Sequence, residues 1–200
     1  MFDQQTKSFW SHLLGEAIDG ELKGTKLTQY PSVMTDWKTW RKLHPQGSVV
    51  LLQRTANEYR RNFYQQPEFF VLGIYGNSTA RFWPFSQLQK NLAINETWDD
   101  IPVVITFDRP SFTARMFRRT VKDKTLTFEF KQGKLRDQET GSIWHPVSGQ
   151  ATAGSLKGEF LSPMPAFISY REAWEKFHPT KGGSSSDLRR PKIPPLSLDM

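Results

Sequence analysis

A 43-residue unit occurs twice in this chain, at residues 3–45 and 137–179, and this duplication constrains the fold more than any other feature. Shifting the sequence by 134 positions aligns the two stretches without a gap, and 17 of the 43 positions are identical. Average amino-acid usage would give roughly two or three identities by chance. We therefore predict that the two stretches fold as equivalent units related by an approximate two-fold axis.

Each unit has the pattern of short strands that end in a short helix. A turn of the type Asp-Gln-x-Thr precedes a strand that contains Trp10 in the first unit and Trp144 in the second. Three glycines follow at matched positions, as is typical of tight turns between short strands. A helix is predicted next, with N-caps at Thr35 and Ser169, and the His-Pro pair ends it.

The connecting region, residues 46–136, contains the patterns of further strands. The predicted strands are Ser48–Gln53, Phe69–Tyr75, Arg81–Phe85, Pro102–Phe107, Thr113–Phe117 and Leu126–Phe130. The fold class is therefore α+β and mostly β, with short antiparallel strands and one short helix per repeat. We predict a single duplicated domain over residues 1–179. Residues 180–200 are rich in Gly and Ser, then basic, then rich in Pro, which predicts a disordered tail.

The second unit has a lead-in of predicted strands, residues 102–136, that the first unit lacks. Subtracting 134 places this lead-in before residue 1, so that Met1 aligns with Leu135 in the middle of a unit. We expect a fragment, or a gene model begun at an internal methionine; the alternative is a natural copy that lost its first strands. The surface near Trp10 should then bind a partner chain, the middle segment 48–85, or a second copy through its strand edge.

The composition excludes several classes of function. The chain has no cysteine, which excludes disulfides, thiolate metal sites and thiol nucleophiles. No apolar run approaches the length of about 18 residues that a membrane-spanning helix needs. The net charge of +7 permits contact with anionic surfaces, but no nucleic-acid-binding motif accompanies it, and nucleic acid is not expected as a partner. The glycines match no phosphate-loop or dinucleotide pattern, and no catalytic residue or cofactor is predicted.

Two histidines are candidate metal ligands. His44 and His178 end the same predicted helix in the two units, and a two-fold-related fold could bring them together. The alternative is structural, because a histidine at a helix C-terminus interacts favourably with the helix dipole and can bind free carbonyls. We favour the structural interpretation. His12 and His145 lie beside the paired tryptophans but not at matched positions.

Other recurring residues also have structural interpretations that we favour. The tryptophans are expected to pack in the core rather than to stack on a sugar or base. The lysines of the Lys-Gly turns are expected to be solvated, and Asp3 and Asp137 to form Asx-turns rather than act as bases. The densest basic run lacks a nucleic-acid-binding motif, so contact with nucleic acid is the disfavoured alternative there. The tryptophans are Trp10, Trp144, Trp40 and Trp174, and the lysines of the turns are Lys23 and Lys157. The basic run comprises Arg115, Arg118, Arg119, Lys122 and Lys124.

The motifs of the two units match a known family in combination. The first unit has D-x-x-T-x-S-x-W, then G-x-A-x-x-G-x-x-x-G-x-x-L and W-x-x-x-H-P; the second has D-x-E-T-G-S-x-W and A-W-x-x-F-H-P. In these motifs the chain resembles an uncharacterised, mainly bacterial family, the domain of unknown function 3179. The resemblance covers nearly all of residues 1–179. It implies a β-rich duplicated domain that is often exported or periplasmic, although residues 1–5 show no signal-peptide pattern.

The resemblance also implies a Cys-Pro-x-Cys motif, in some members with selenocysteine, upstream of the first D-x-x-T-x-S-x-W. This looks like a thiol or selenol redox centre, although no activity is established for the family. The motif would lie before Met1, and its counterpart in the second unit, residues 106–111, has no cysteine. Two functions remain: a non-catalytic or truncated member of a redox-type family, or a binding module for a protein partner or small ligand without enzymatic activity. The sequence favours a chain that is not an enzyme.

Overall fold

A computed structural model of the chain describes residues 1–50, 67–76 and 79–178. The described residues form sixteen short strands, helices α1 (Trp37–Leu43), α2 (Phe85–Leu88) and α3 (Arg171–Phe177), and a 3-10 turn at Pro67–Phe69. The α+β, mostly β, class predicted from the sequence is therefore confirmed. Among these residues no helix is long and apolar enough to cross a membrane.

The strands form five antiparallel sheets in the described part of the chain. In chain order they are β1 (Phe2–Asp3), β2 (Ser8–Ser11), β3 (Glu16–Asp19), β4 (Phe70–Tyr75), β5 (Ala80–Pro84), β6 (Ala93–Trp98), β7 (Ile101–Asp108), β8 (Thr113–Arg118), β9 (Thr120–Val121), β10 (Lys124–Thr125), β11 (Phe128–Lys131), β12 (Lys134–Asp137), β13 (Ile143–Trp144), β14 (Ala151–Ala153), β15 (Ser162–Pro163) and β16 (Phe167–Tyr170). The sheet orders are β1-β2-β3, β10-β9, β11-β12-β13-β14, β15-β8-β7-β6 and β16-β4-β5.

The two repeat units share part of their local structure, but β15 and β16 of the second unit have no strand counterpart at residues 28–36 of the first. Phe2 pairs with Phe9 in the first unit, and Arg136 pairs with Ile143 in the second, which is the same pair 134 residues later. The second and third strands of each unit contain a register shift at the same place. Helices α1 and α3 also begin and end at positions 134 residues apart. That an approximate two-fold axis relates the units stays a prediction, which superposition of the two segments would test.

The turn that contains Gly20 in the first unit and Gly154 in the second requires glycine. Gly20 and Gly154 have φ of +90° and +94°, in the left-handed region that favours glycine. A Cβ at Gly154 would also lie 2.6 Å from Cα of Ser142, in the neighbouring strand segment. Any other residue would therefore force backbone strain and a steric clash at the same point.

Two apolar clusters form the core. The first lies between the sheets around β4, β7 and β8 and includes Leu72, Phe85, Ile105, Phe107 and Met116. The second lies beneath the sheet of the second repeat unit and includes Phe117, Leu126, Phe128, Leu135, Trp144 and Leu161. Among the described residues, neither cluster contains a member of β1, β2, β3 or α1. The first repeat unit therefore lies outside the two cores.

Most of the predicted strands outside the repeat units are confirmed. The strands predicted from Phe69, Arg81, Pro102, Thr113 and Leu126 correspond to β4, β5, β7, β8 and β11. The predicted buried strand Ser48–Gln53 is wrong over residues 48–50, which form no strand and are exposed. Val50, for example, is 85% exposed. Residues 51–53 and the predicted tail, 180–200, lie outside the described residues.

The predicted helix caps are also wrong. The N-cap of α1 is Asp36, whose Oδ1 accepts a hydrogen bond from the Thr39 amide at 2.6 Å. Thr35 is one residue too early, and its hydroxyl accepts a hydrogen bond from Thr113. Ser169 belongs to β16, which pairs with β4, and the N-cap of α3 is Tyr170, which makes no side-chain capping bond. Ser169 is thus one residue too early to cap α3, and its hydroxyl donates to the Tyr170 carbonyl oxygen at 3.2 Å.

Candidate functional site

The sheet of the first repeat unit exposes the face that its counterpart buries. Trp144 is 2% exposed, whereas Trp10, its equivalent, is only half-buried. Leu161 is 2% exposed and its equivalent, Leu27, is 45% exposed. The predicted core packing of the tryptophans holds for the second unit and is incomplete in the first. The exposed face, which contains Met1, Trp10 and Leu27 beside the fully buried Ala17, is called the Trp10 face below.

The counterpart of the Trp10 face is covered by the strands that precede the second unit. The Phe128 ring on β11 meets Trp144 edge-on, with centroids 5.7 Å apart and an interplanar angle of 77°. Phe117 on β8 packs against Gly149, where a Cβ would lie 2.8 Å from Phe117 Cε1. Val104 on β7 belongs to the same cluster. Strands β7, β8 and β11 thus contribute side chains to the cluster that covers Trp144.

A strand edge accompanies the Trp10 face. In the second unit β11 pairs with β12, with Phe128 opposite Asp137 and Phe130 opposite Leu135. In the first unit β1 pairs with β2 on one side, and within the described residues no strand pairs with its other side. In the described part of the chain β1 is therefore an edge strand of its sheet.

The aspartates at the start of the two sheets also differ in their partners. Asp137 is fully buried and accepts hydrogen bonds from the Trp144 indole Nε1 at 2.8 Å and from the Thr140 amide at 2.6 Å. Asp3 accepts from the Gln5 amide at 2.9 Å and from the Thr6 hydroxyl. These hydrogen bonds lower the pKa of Asp3, and the bond from the Thr6 hydroxyl has the largest effect. Asp3 therefore forms the predicted Asx-turn, with an amide two residues on, whereas Asp137 holds its turn through an amide three residues on.

Besides the bond between Thr35 and Thr113, the first unit contacts the rest of the chain through its β2–β3 turn. Nε2 of His178, at the end of α3, lies 2.8 Å from the Leu13 carbonyl oxygen. The Tyr75 hydroxyl reaches Gly15 so closely that a Cβ there would overlap it. Burial, and secondarily the carboxylate of Glu16, raise the pKa of Tyr75. These contacts hold the turn, and none of them involves Met1, Trp10 or Leu27.

A family model described as "Protein of unknown function (DUF3179)" matches residues 1–69 and 66–182, which is most of the chain. The chain belongs to this family. No curated protein and no solved structure matches the chain.

Membership of the DUF3179 family confirms the resemblance seen in the sequence motifs. The family description assigns no activity, and it gives no support to a redox function. The function of this DUF3179 chain therefore has to be argued from its own geometry.

The two histidines at the helix ends have different surroundings. The imidazole of His178 stacks on Tyr75, with centroids 4.9 Å apart, and packs against Trp174. His44 is exposed and contacts Trp40, with centroids 5.5 Å apart. Within the described residues no group of three or more His, Asp or Glu side chains could hold a metal ion. The shared metal site at His44 and His178 stays a prediction.

His145 caps the turn that follows Trp144. Its Nδ1 accepts hydrogen bonds from the amides of Val147 at 3.3 Å and Ser148 at 3.2 Å. Burial lowers the pKa of His145, while the carboxylate of Asp108 opposes this change and Lys42 adds to it. The neutral imidazole therefore has a structural role here. His12, which does not match it in sequence position, is exposed.

The segment that corresponds to the family's cysteine motif, residues 106–111, forms a hydrogen-bonded turn between β7 and β8. Oδ2 of Asp108 accepts hydrogen bonds from the Ser111 amide at 3.1 Å and from the Ser111 hydroxyl. Thr106 donates a hydrogen bond to the Pro146 carbonyl oxygen at 2.7 Å. These bonds fix the turn and its contact with the second unit. The polar side chains of Thr106, Asp108 and Ser111 therefore have structural roles.

The basic run and the Lys-Gly turns likewise have structural surroundings. Arg119 donates to the Leu126 carbonyl oxygen at 2.8 Å, and Lys122 forms an ion pair with Glu159 at 2.8 Å. Arg115 lies over the Phe117 ring, and burial lowers the pKa of its guanidinium. Lys23 and Lys157, at the Lys-Gly turns, are both exposed.

Sequence reasoning missed Tyr75 and Trp37. Tyr75 contacts the turn of the first unit, and no local pattern marks that long-range contact. Trp37 is 56% exposed at the first position of α1. The alignment of the two units already distinguishes Trp37, because the equivalent residue of the second unit is Arg171. The tryptophan is therefore specific to the first unit.

Proposed function

We propose that this chain is a protein-binding module that docks a strand of a partner polypeptide onto β1 and the Trp10 face. The observation that carries the proposal is the contrast between Trp10 and Trp144, equivalent residues of which one is half-buried and the other is 2% exposed. Burial of apolar area stabilises a complex by roughly 25 cal/mol per Å². The Trp10 face offers such area beside an available strand edge, which is the arrangement used in β-augmentation.

The second repeat unit indicates the chemistry of the docked strand. There β11 supplies backbone partners to β12 and places Phe128 against Trp144, while Phe130 packs at the margin of the same cluster. By the 134-residue offset, a strand on β1 would place its first aromatic residue opposite Asp3 and its second opposite Met1. The expected ligand is therefore a strand with aromatic residues at alternate positions.

Two sequence-based hypotheses bear on this proposal. The chain has no cysteine to carry thiol chemistry, so a non-catalytic or truncated relative of a redox-type domain would still use the same docking surface. That the chain is a fragment stays a prediction from the alignment of Met1 with Leu135. The docking proposal concerns the surface of the chain as given and stands whichever origin applies.

The test is a titration of the isotope-labelled full chain with a synthetic peptide of residues 124–132, followed by nuclear magnetic resonance. We expect shifts at the amides of Phe2 and Asp3 and at the Trp10 indole. A control peptide in which serine replaces both Phe128 and Phe130 should bind much more weakly, because it lacks the apolar contacts. Unchanged Phe2, Asp3 and Trp10 resonances at millimolar peptide, or equal binding of the control, would overturn the proposal.

A further inference from the structure

Helix α3 ends beside the strand that contains Trp10. The residue that follows this helix is His178, whose Nε2 lies 2.8 Å from the Leu13 carbonyl oxygen. Leu13 comes three residues after Trp10, and the Trp10 amide donates to the Met1 carbonyl oxygen at 2.7 Å. Three residues span at most about 11 Å. The chain that continues after His178 therefore starts close to the Trp10 face and to β1.

The sequence after His178 contains a stretch with the same alternation as β11. In β11 (Phe128–Lys131) the two phenylalanines alternate with a glutamate and a lysine, and Phe128 meets Trp144. Residues 196–200 read LSLDM, so that Leu196 and Leu198 alternate with Ser and Asp. In an extended chain, side chains two residues apart lie on the same face. This stretch can therefore present two leucines to a sheet as β11 presents its two phenylalanines.

The backbone of residues 196–200 is also suited to strand pairing. Proline lacks the amide that a strand ladder requires, and the last proline of the chain as given is Pro195. Each residue of the LSLDM stretch thus has an amide that can donate to an edge strand. The basic and proline-containing residues before it, 187–195, lack both the alternation and this run of amides.

The connecting length matches the distance to be covered. The 17 residues 179–195 include a Gly/Ser-rich stretch at 182–186. A chain of this length with such a composition spans roughly 20–25 Å on average. The path from Leu13 to a strand beside β1 is on the order of 20 Å by strand geometry. A tether that matches its span gives an effective concentration in the millimolar range, so even a weakly binding strand occupies the edge for part of the time.

We propose that residues 196–200 dock on β1 as an internal ligand of the Trp10 face. By the 134-residue offset from β11, Leu196 lies opposite Asp3 and Leu198 opposite Met1. This inference rests on the proposed function and adds its regulation, because the internal strand competes with the strand of a partner. A partner strand with aromatic residues buries more apolar area than the two leucines and displaces them. Attachment beside the face favours this segment over that of a second copy, which at micromolar concentration is about a thousandfold more dilute.

The test compares the full chain with the double variant Leu196→Ser and Leu198→Ser by nuclear magnetic resonance. We expect the double variant to shift the amides of Phe2 and Asp3 and the Trp10 indole, while the Trp144 indole stays unchanged. The double variant should also bind the peptide of residues 124–132 about twofold or more tightly, because the competitor is removed. The matched control is Leu188→Ser, which removes a leucine outside the alternating stretch and should behave as the original chain.

Three results would overturn the proposal. The first is identical Phe2, Asp3 and Trp10 resonances in the original chain and the double variant; binding of the peptide to both chains would then leave the strand-docking function standing. The second is an equal effect of Leu188→Ser. The third is a difference that disappears when the full chain is diluted, which would assign the strand to a second copy. A shift in the double variant without peptide binding to either chain would support the internal ligand and contradict the docking of a partner strand.

Discussion

The Trp144 indole Nε1 donates a hydrogen bond to Oδ2 of Asp137 at 2.8 Å, and both residues are buried. The same carboxylate accepts hydrogen bonds from the amide and hydroxyl of Thr140. The substitution Asp137→Ala leaves these donors without an acceptor in a buried position. We expect it to lower the free energy of unfolding by about 1.5–3 kcal/mol, measured by denaturant titration.

The matched control for that prediction is Asp3→Ala. Asp3 accepts hydrogen bonds from Gln5 and Thr6, at a position where solvent can replace them. The loss should therefore be clearly smaller than for Asp137→Ala. Equal decreases in the free energy of unfolding would contradict the view that the sheet of the second unit is buried and that of the first unit is exposed.

The stability of the protein should depend on pH through His145, whose pKa is lowered mainly by burial. The unfolded pKa of histidine is about 6.5, so between the two pKa values the unfolded state binds more protons than the folded state. The contribution of His145 to the free energy of unfolding is thus fully present above about pH 6.5. It is lost as the pH falls through the lowered pKa of His145 in the folded state.

The substitution His145→Asn tests this pH dependence. The Asn side-chain oxygen can still accept from the amides of Val147 and Ser148, but it does not titrate in this range. Urea midpoints measured from neutral to mildly acidic pH should fall less steeply for the variant than for the original chain. The same pH slope in both proteins would show that His145 binds protons equally in the folded and unfolded states.

Removal of the Asp36 cap should open the first turn of α1. The substitution Asp36→Ala removes the acceptor of the Thr39 amide and should cost about 0.5–2 kcal/mol of helix stability. Faster amide hydrogen exchange at Thr39 is the direct measurement. Thr35→Ala is the control, because Thr35 lies outside the cap, and its effect on Thr39 exchange should be small. A larger effect from Thr35 would restore the cap predicted from sequence.

The sequence predicted elements well where local pattern and tertiary environment agree. The apolar run at β4 is buried as its composition indicates, whereas the similar run near Val49 and Val50 is exposed. A short apolar run does not specify what will cover it, so the two cases look alike in sequence. The cap at Asp36 was missed by one position because Thr and Asp are both good N-cap residues.

The candidate sites could be predicted only in part. The alignment of Met1 with Leu135 pointed to the surface near Trp10, because it showed which neighbours the second unit has. The contact between Tyr75 and Gly15 joins residues far apart in the chain, and nothing local predicts it. Trp37 was overlooked because the two units were compared at identical residues, and Trp37 aligns with Arg171.

The central claim is that the Trp10 face and the β1 edge accept a polypeptide strand. It is tested most directly by fusing residues 124–132 ahead of Met1 through a flexible Gly/Ser linker, which makes the binding intramolecular. A matched fusion has serine in place of Phe128 and Phe130 in the added strand. The measurement is the hydrogen-exchange rate of the Trp10 indole N–H, with the Trp144 indole as the internal reference.

We predict that the added strand slows exchange at the Trp10 indole toward the rate of Trp144, because it buries the ring as β11 buries Trp144. The serine fusion should leave the Trp10 rate near that of the original chain. An unchanged Trp10 rate in the first fusion, or equal slowing in both fusions, would contradict the claim that this face docks an aromatic-bearing strand.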